Sequence, residues 1–111
     1  MKIHRQQILR AFMNIIGNAI QAIQENGGNV LITLHRDGDK YRMSVEDDGP
    51  GVKDEFVGKL FSPNFTTKVG GSGLGLAICK DIFEQNGGSI HYERSQRLGG
   101  ASFVTTLPAA V

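Results

Sequence analysis

Apolar residues recur at Ile8, Phe12, Ile15, Ile16, Ala19, Ile20 and Ile23, a spacing that winds onto one stripe of a helix. That helix is expected to stop at Asn26-Gly27-Gly28, where glycine accepts the left-handed cap conformation. Two segments of alternating polarity follow at 30–35 and 41–47, joined through Asp37-Gly38-Asp39 as a hairpin. A stretch punctuated by glycine and proline runs from 48 to 71. Within it Phe56, Val57 and Leu60 form the apolar side of a short helix with Asp54 near its start. A second long helix is predicted over about 72–86, with Leu76, Ile78, Ile82 and Phe83 as its stripe, and it too ends in Asn-Gly-Gly (86–88). Strands at 89–93 and 101–107 follow, joined through Leu98-Gly99-Gly100.

The chain therefore reads twice as helix, Asn-Gly-Gly, strand, turn, strand. The two halves share this construction but little sequence identity. Four strands and two long helices imply an α+β fold, one sheet with its apolar face under the helices. The segment from 48 to 71 is too long for a routine connector, and loops of that length are usually functional or disordered.

Composition narrows the class. The chain has 111 residues, 40% of them hydrophobic, which suits one globular domain. No apolar run spans a bilayer and no signal-peptide pattern opens the chain, so a cytoplasmic setting without membrane contact is expected. The single Cys79 excludes an internal disulfide and a cysteine zinc site, and its apolar helical surroundings read as a small buried side chain. A net charge of +1 without charge blocks argues against nucleic acid, which needs a basic face.

The candidate chemistry lies in four segments. Asn14 and Asn18 stand four apart and share a helix face. An amide oxygen is a neutral ligand for a hard cation, and magnesium takes few protein ligands, keeping waters and phosphate oxygens for the rest. Taken alone, Asn14 reads better as a solvated helix residue; Asn18 sits nearer the buried stripe. Strand alternation puts Asp47 on the face of Tyr41, Met43 and Val45, and Asp48 on the face of Arg42, Ser44 and Glu46. An inward carboxylate needs hydrogen-bond donors, which an adenine amino group could supply; the competing role is a cap on the next turn. Gly49 and Gly51 leave room for a flat base against the backbone. Gly71-Ser72-Gly73-Leu74-Gly75 precedes a helix, where backbone N–H groups bind phosphate. It lacks the Gly-Lys-Ser/Thr of a P-loop and the spacing and βαβ setting of a dinucleotide fingerprint; its alternative is a flexible linker with Ser72 as helix cap. Lys68, behind two threonines, is placed to neutralise phosphate charge or is an ordinary exposed lysine. Phe61 and Phe65 are either latches of a mobile loop or core. His4, His35 and His91 do not cluster at metal-ligand spacing and read as surface residues.

The ordered set resembles the ATP-binding catalytic domain of bacterial sensor histidine kinases, within the superfamily shared with type II topoisomerases, Hsp90 chaperones and mismatch-repair ATPases. Residues 14–19 match the N box, 47–51 the G1 box, 61–68 the F box and 71–76 the G2 box, and 99–108 resemble the closing strand. The resemblance implies a two-layer α/β sandwich of the Bergerat type, a mixed or antiparallel sheet packed on helices, holding ATP and Mg2+ under a lid. It implies Asn14 and Lys68 as catalytic residues and Asn18 as the metal ligand. The implied nucleotide contacts are Asn18, Asp47, Gly49, Gly51, Thr67, Lys68, Gly71, Gly73, Leu74, Gly75 and Ser102. Asn14 favours kinase over hydrolase, because the topoisomerase and chaperone branches carry a water-activating glutamate there and an amide is no general base. Transfer to histidine needs chiefly positioning and charge neutralisation. The implied partners are a dimerisation domain bearing the phospho-accepting histidine and, indirectly, a response regulator. Gln21 departs from the lysine many relatives place there, and the absent acceptor hairpin makes a fragment of a longer protein the expectation. The alternatives are a nucleotide-gated binding module, an anti-sigma-factor type serine kinase and, less favoured, an ATPase.

Overall fold

The computed structural model describes residues 4–23, 27–62 and 75–109. Helix α1 spans Arg5–Ile23, strand β1 Val30–Asp37, strand β2 Lys40–Asp47 and helix α2 Asp54–Val57; helix α3 spans Leu76–Gln85, strand β3 Ser89–Arg94 and strand β4 Ala101–Pro108. The four strands form one antiparallel sheet in the order β1-β2-β4-β3. Two hairpins are thus joined at their inner strands, with Val45 opposite Phe103 and Glu46 opposite Ser102. Asp37 pairs with Lys40, so the first hairpin turns on Gly38 and Asp39, with Gly38 at φ +64°. Among the described residues no helix is long and apolar enough to cross a membrane.

The helices lie on one face of the sheet. Ile8, Ala11, Ile15 and Ala19 of α1 and Cys79 and Phe83 of α3 meet Val45, Ile90, Ala101 and Phe103 in a single core. Phe12 and Phe83 cross edge to face at 5.1 Å, a geometry that aligns the positive ring edge with the negative ring face. The buried stripe of α1 is narrower than the sequence suggests. Ile20 is 51% exposed, and Ile78 of α3 is also exposed. Tyr41, on the same sheet face as Asp47 by alternation, is exposed as well.

Helix α3 begins at Leu76, after the predicted start near 72, because Gly75 is extended (ψ 168°) and no side chain caps the helix. Its far end shows why Asn-Gly-Gly stops it. Asn86 is fully buried. Its Nδ2 donates to the Ile82 carbonyl at 2.7 Å, while its Oδ1 accepts the His4 N–H at 2.9 Å. One side chain thus adds a second bond to the Ile82 carbonyl, which also accepts the Asn86 backbone N–H, and ties the start of α1 to the end of α3. At Gly88 an added Cβ would lie 1.9 Å from the Thr106 carbonyl oxygen, so only glycine lets the chain pass into β3.

Candidate nucleotide site

Asp47 ends β2 on the helix-covered face and is buried. Its Oδ1 accepts the Gly49 N–H at 2.9 Å and the Ala101 N–H at 3.3 Å, and its carbonyl accepts the Gly100 N–H at 3.1 Å. These donors offset the cost of burying a carboxylate. Among the described residues no donor reaches Oδ2, and none has a buried side-chain oxygen without a partner, so Oδ2 keeps solvent access. The acid is locked by one oxygen and offers the other. A Cβ on Gly100 would come within 2.4 Å of both the carbonyl and Oδ1 of Asp47, which fixes glycine at that position.

Asp48 takes the opposite role. It is half-buried and grips Asn29, accepting the backbone N–H at 2.9 Å and the side-chain N–H at 3.1 Å. It clamps the entry of β1 against the exit of β2. After Gly49 the backbone turns through Gly51 at φ +74°, and the Val52 N–H donates to the Tyr92 hydroxyl at 3.3 Å.

Asn14, Asn18 and Ala22 are spaced by four and form one row along α1. The Ala22 carbonyl oxygen lies 2.8 Å from where a Cβ on Gly49 would be, so that end of the row abuts the Asp47 turn. At the other end the Asn14 Nδ2 donates to the Cys79 sulfur at 3.3 Å, one turn into α3. Burial raises the Cys79 thiol pKa above its ordinary value, a trend the Asn14 hydrogen bond opposes, and Cys79 stays a neutral thiol whose S–H faces the Ala11 carbonyl. Asn18, half-buried, stands between these two ends. One row of α1 therefore bridges the open acid of Asp47 and the N-terminal turn of α3, where amide N–H groups lack helical acceptors.

The remaining predicted residues divide in two. Thr67, Lys68, Gly71, Gly73 and Leu74, with Phe65, lie outside the described residues, while Gly75 is seen as the residue before α3. Ser102 is a correction. Register pairs it with Glu46 while Phe103 pairs with Val45 in the core, so its side chain stands on the sheet face away from Asp47. There it lines a hollow of about 300 Å³ with Thr33, Arg42, Ser44, Glu46 and Arg97. The residue beside the acid is Ala101, acting through its backbone. Counting outward from Phe103 in steps of one finds this in the sequence, since a core phenylalanine puts its predecessor on the other face.

A family model described as histidine kinase-, DNA gyrase B- and HSP90-like ATPase matches residues 3–111. The chain belongs to this family. Among its relatives, sensor histidine kinase ZraS of Escherichia coli strain K12 is 37% identical over 95% of the chain, which corresponds to 22% of ZraS. The chain spans between 18% and 28% of the length of the curated relatives it matches. The catalytic domain of histidine kinase ThkA, in a nucleotide-free form, superposes with a TM-score of 0.85 at 40% identity, covering 96% of this chain and 69% of that one. ThkA in complex with the response regulator TrrA gives 0.78 at 37% identity, covering 96% and 29%. Full-length ShkA in complex with AMPPNP gives 0.74 at 34% identity, covering 92% and 21%. The α+β architecture expected from the sequence is the one these family members share.

Proposed function

We propose that this domain binds Mg-ATP and passes the γ-phosphoryl group to a histidine on a separate helical dimerisation domain, as the catalytic part of a sensor histidine kinase. The observation that carries the reading is Asp47, locked through Oδ1 by the Gly49 and Ala101 N–H groups with Oδ2 left as an acceptor. An acceptor fixed at a strand end suits the exocyclic amino group of adenine. From there the row of Asn18 and Asn14 leads towards the N-terminal turn of α3, the natural seat for phosphates.

Asn18 fits a magnesium ion chemically: it offers one neutral oxygen, and the described residues hold no cluster of acids and histidines that would claim a metal by themselves. Bound with the triphosphate, the ion would neutralise phosphate charge. The chain's own residues read the base, hold the phosphates with backbone N–H groups at Gly71, Gly73 and Gly75, and neutralise charge through Lys68. Asn14 is an amide, so no general base for water sits at that position. This favours transfer to an amino acid acceptor over hydrolysis. ThkA's complex with a response regulator supports such a protein as the downstream partner.

The test is to mix the domain with the histidine-bearing hairpin of the same protein and labelled ATP. Acid-labile label on the hairpin, lost with Asp47→Asn, is the expected result. Acid-stable label on serine, or rapid turnover to ADP without a labelled protein, refutes the proposal.

A further inference from the structure

Two consecutive acids leave β2 on opposite faces of the sheet and grip the same turn. On the covered side Asp47 receives Gly100 and Ala101. On the open side Glu46, whose side chain is 7% exposed, receives the Ser95 hydroxyl at 2.9 Å through Oε1 and the Arg97 guanidinium through Oε2. The turn between β3 and β4 is also tied internally. Ser95 N–H donates to the Gly100 carbonyl, Gly99 N–H to the Ser95 carbonyl, both at 2.8 Å, and Leu98 N–H to the Ser95 hydroxyl at 3.0 Å. Ser95 thus links Glu46 to the segment whose next N–H groups hold Asp47.

We infer that Glu46, with Ser95 and Arg97, positions the base-reading acid by setting the height of this turn. The inference deepens the proposed nucleotide reading and rests on it. The Ala101-to-Asp47 bond is already at the long end of the hydrogen-bond range, at 3.3 Å, so a displacement of a few tenths of an ångström forfeits it. Gly100 leaves no slack in the other direction, because its Cα region is pressed against Asp47 and Gly49. Without the Glu46 anchor the turn lifts from β2, the Asp47 carboxylate loses one of its two locks, and Oδ2 no longer holds a fixed direction. Selectivity for the purine amino group then falls.

Arg97→Ala and Ser95→Ala test this in calorimetric titrations with ATP and with inosine triphosphate, whose base carries a carbonyl in place of the amino group. Arg97 is largely exposed, so its removal leaves the core intact. Both variants are expected to weaken ATP binding by about tenfold, the scale of one hydrogen bond to a charged group, and to leave inosine triphosphate unchanged. Arg97→Lys restores part of the preference. Unaltered preference in both variants, or equal weakening for both nucleotides, overturns the positioning role. A wild-type domain without any preference instead removes the Asp47 assignment itself.

Discussion

Replacing Asp47 separates its two jobs. Asparagine keeps an Oδ1 where the Gly49 and Ala101 N–H groups need one, at 2.9 and 3.3 Å in the wild type. It exchanges two charge-assisted bonds for neutral ones, a loss of about 1 kcal/mol of stability. At the open position, however, an acceptor becomes an NH2 donor facing the donor of the adenine amino group. The lost bond and the unmatched donors together cost about 2–4 kcal/mol of binding, roughly 30- to 1000-fold in Kd. Alanine also removes the acceptor for both backbone donors. Leaving two buried N–H groups unpaired costs about 1–3 kcal/mol each, so Asp47→Ala should unfold at clearly lower urea than Asp47→Asn while binding ATP no better. Urea titration followed by circular dichroism gives the stabilities, and calorimetry gives the affinities. Asp47→Asn binding ATP like the wild type, or Asp47→Ala as stable as Asp47→Asn, refutes the two-oxygen division of labour.

Phe83→Ala removes a fully buried ring that meets Phe12 and should cost about 3–5 kcal/mol of unfolding free energy, read by the same titration. Asn86→Ala leaves the His4 N–H without its acceptor and removes the second bond to the Ile82 carbonyl, so a loss of about 2 kcal/mol is expected; a change under a few tenths would contradict the tether. The raised thiol pKa of Cys79 makes stability fall as pH rises from the ordinary thiol pKa to the folded value, because the unfolded chain releases a proton that the folded chain keeps. Cys79→Ala should lack that slope in pH-dependent unfolding, and the wild-type thiol should react with a disulfide reagent only after denaturation.

Much of the architecture was legible because its signals are local. Strand alternation put Asp47 inward, Gly38 marked the hairpin, and the four-residue spacing of Asn14 and Asn18 placed both on one row. What stayed hidden depends on contacts distant in sequence. Glu46 looks like a polar-face residue of β2, yet it is buried and held by Ser95 and Arg97. Asn86 reads as a stop signal, and nothing local says that it also receives His4. The assignment of Ser102 looked for a side chain where the fold uses the backbone N–H of Ala101. The exposed Ile20 and Ile78 show the limit of apolar periodicity: it gives the direction of a stripe, while tertiary packing decides how much of the stripe is covered.

The pairing of β2 with β4 joins Glu46 to Ser102, and across that same seam Asp47 meets Gly100 and Ala101. Asp47 and two of its three backbone donors thus come from opposite halves of the chain, each a helix with its hairpin. Neither half can assemble the grip alone. Such a long-range closure is the slow kind in folding, so nucleotide capture should mark the moment the two halves dock. Two co-expressed fragments severed between α2 and α3 would regain affinity only as a reunited pair.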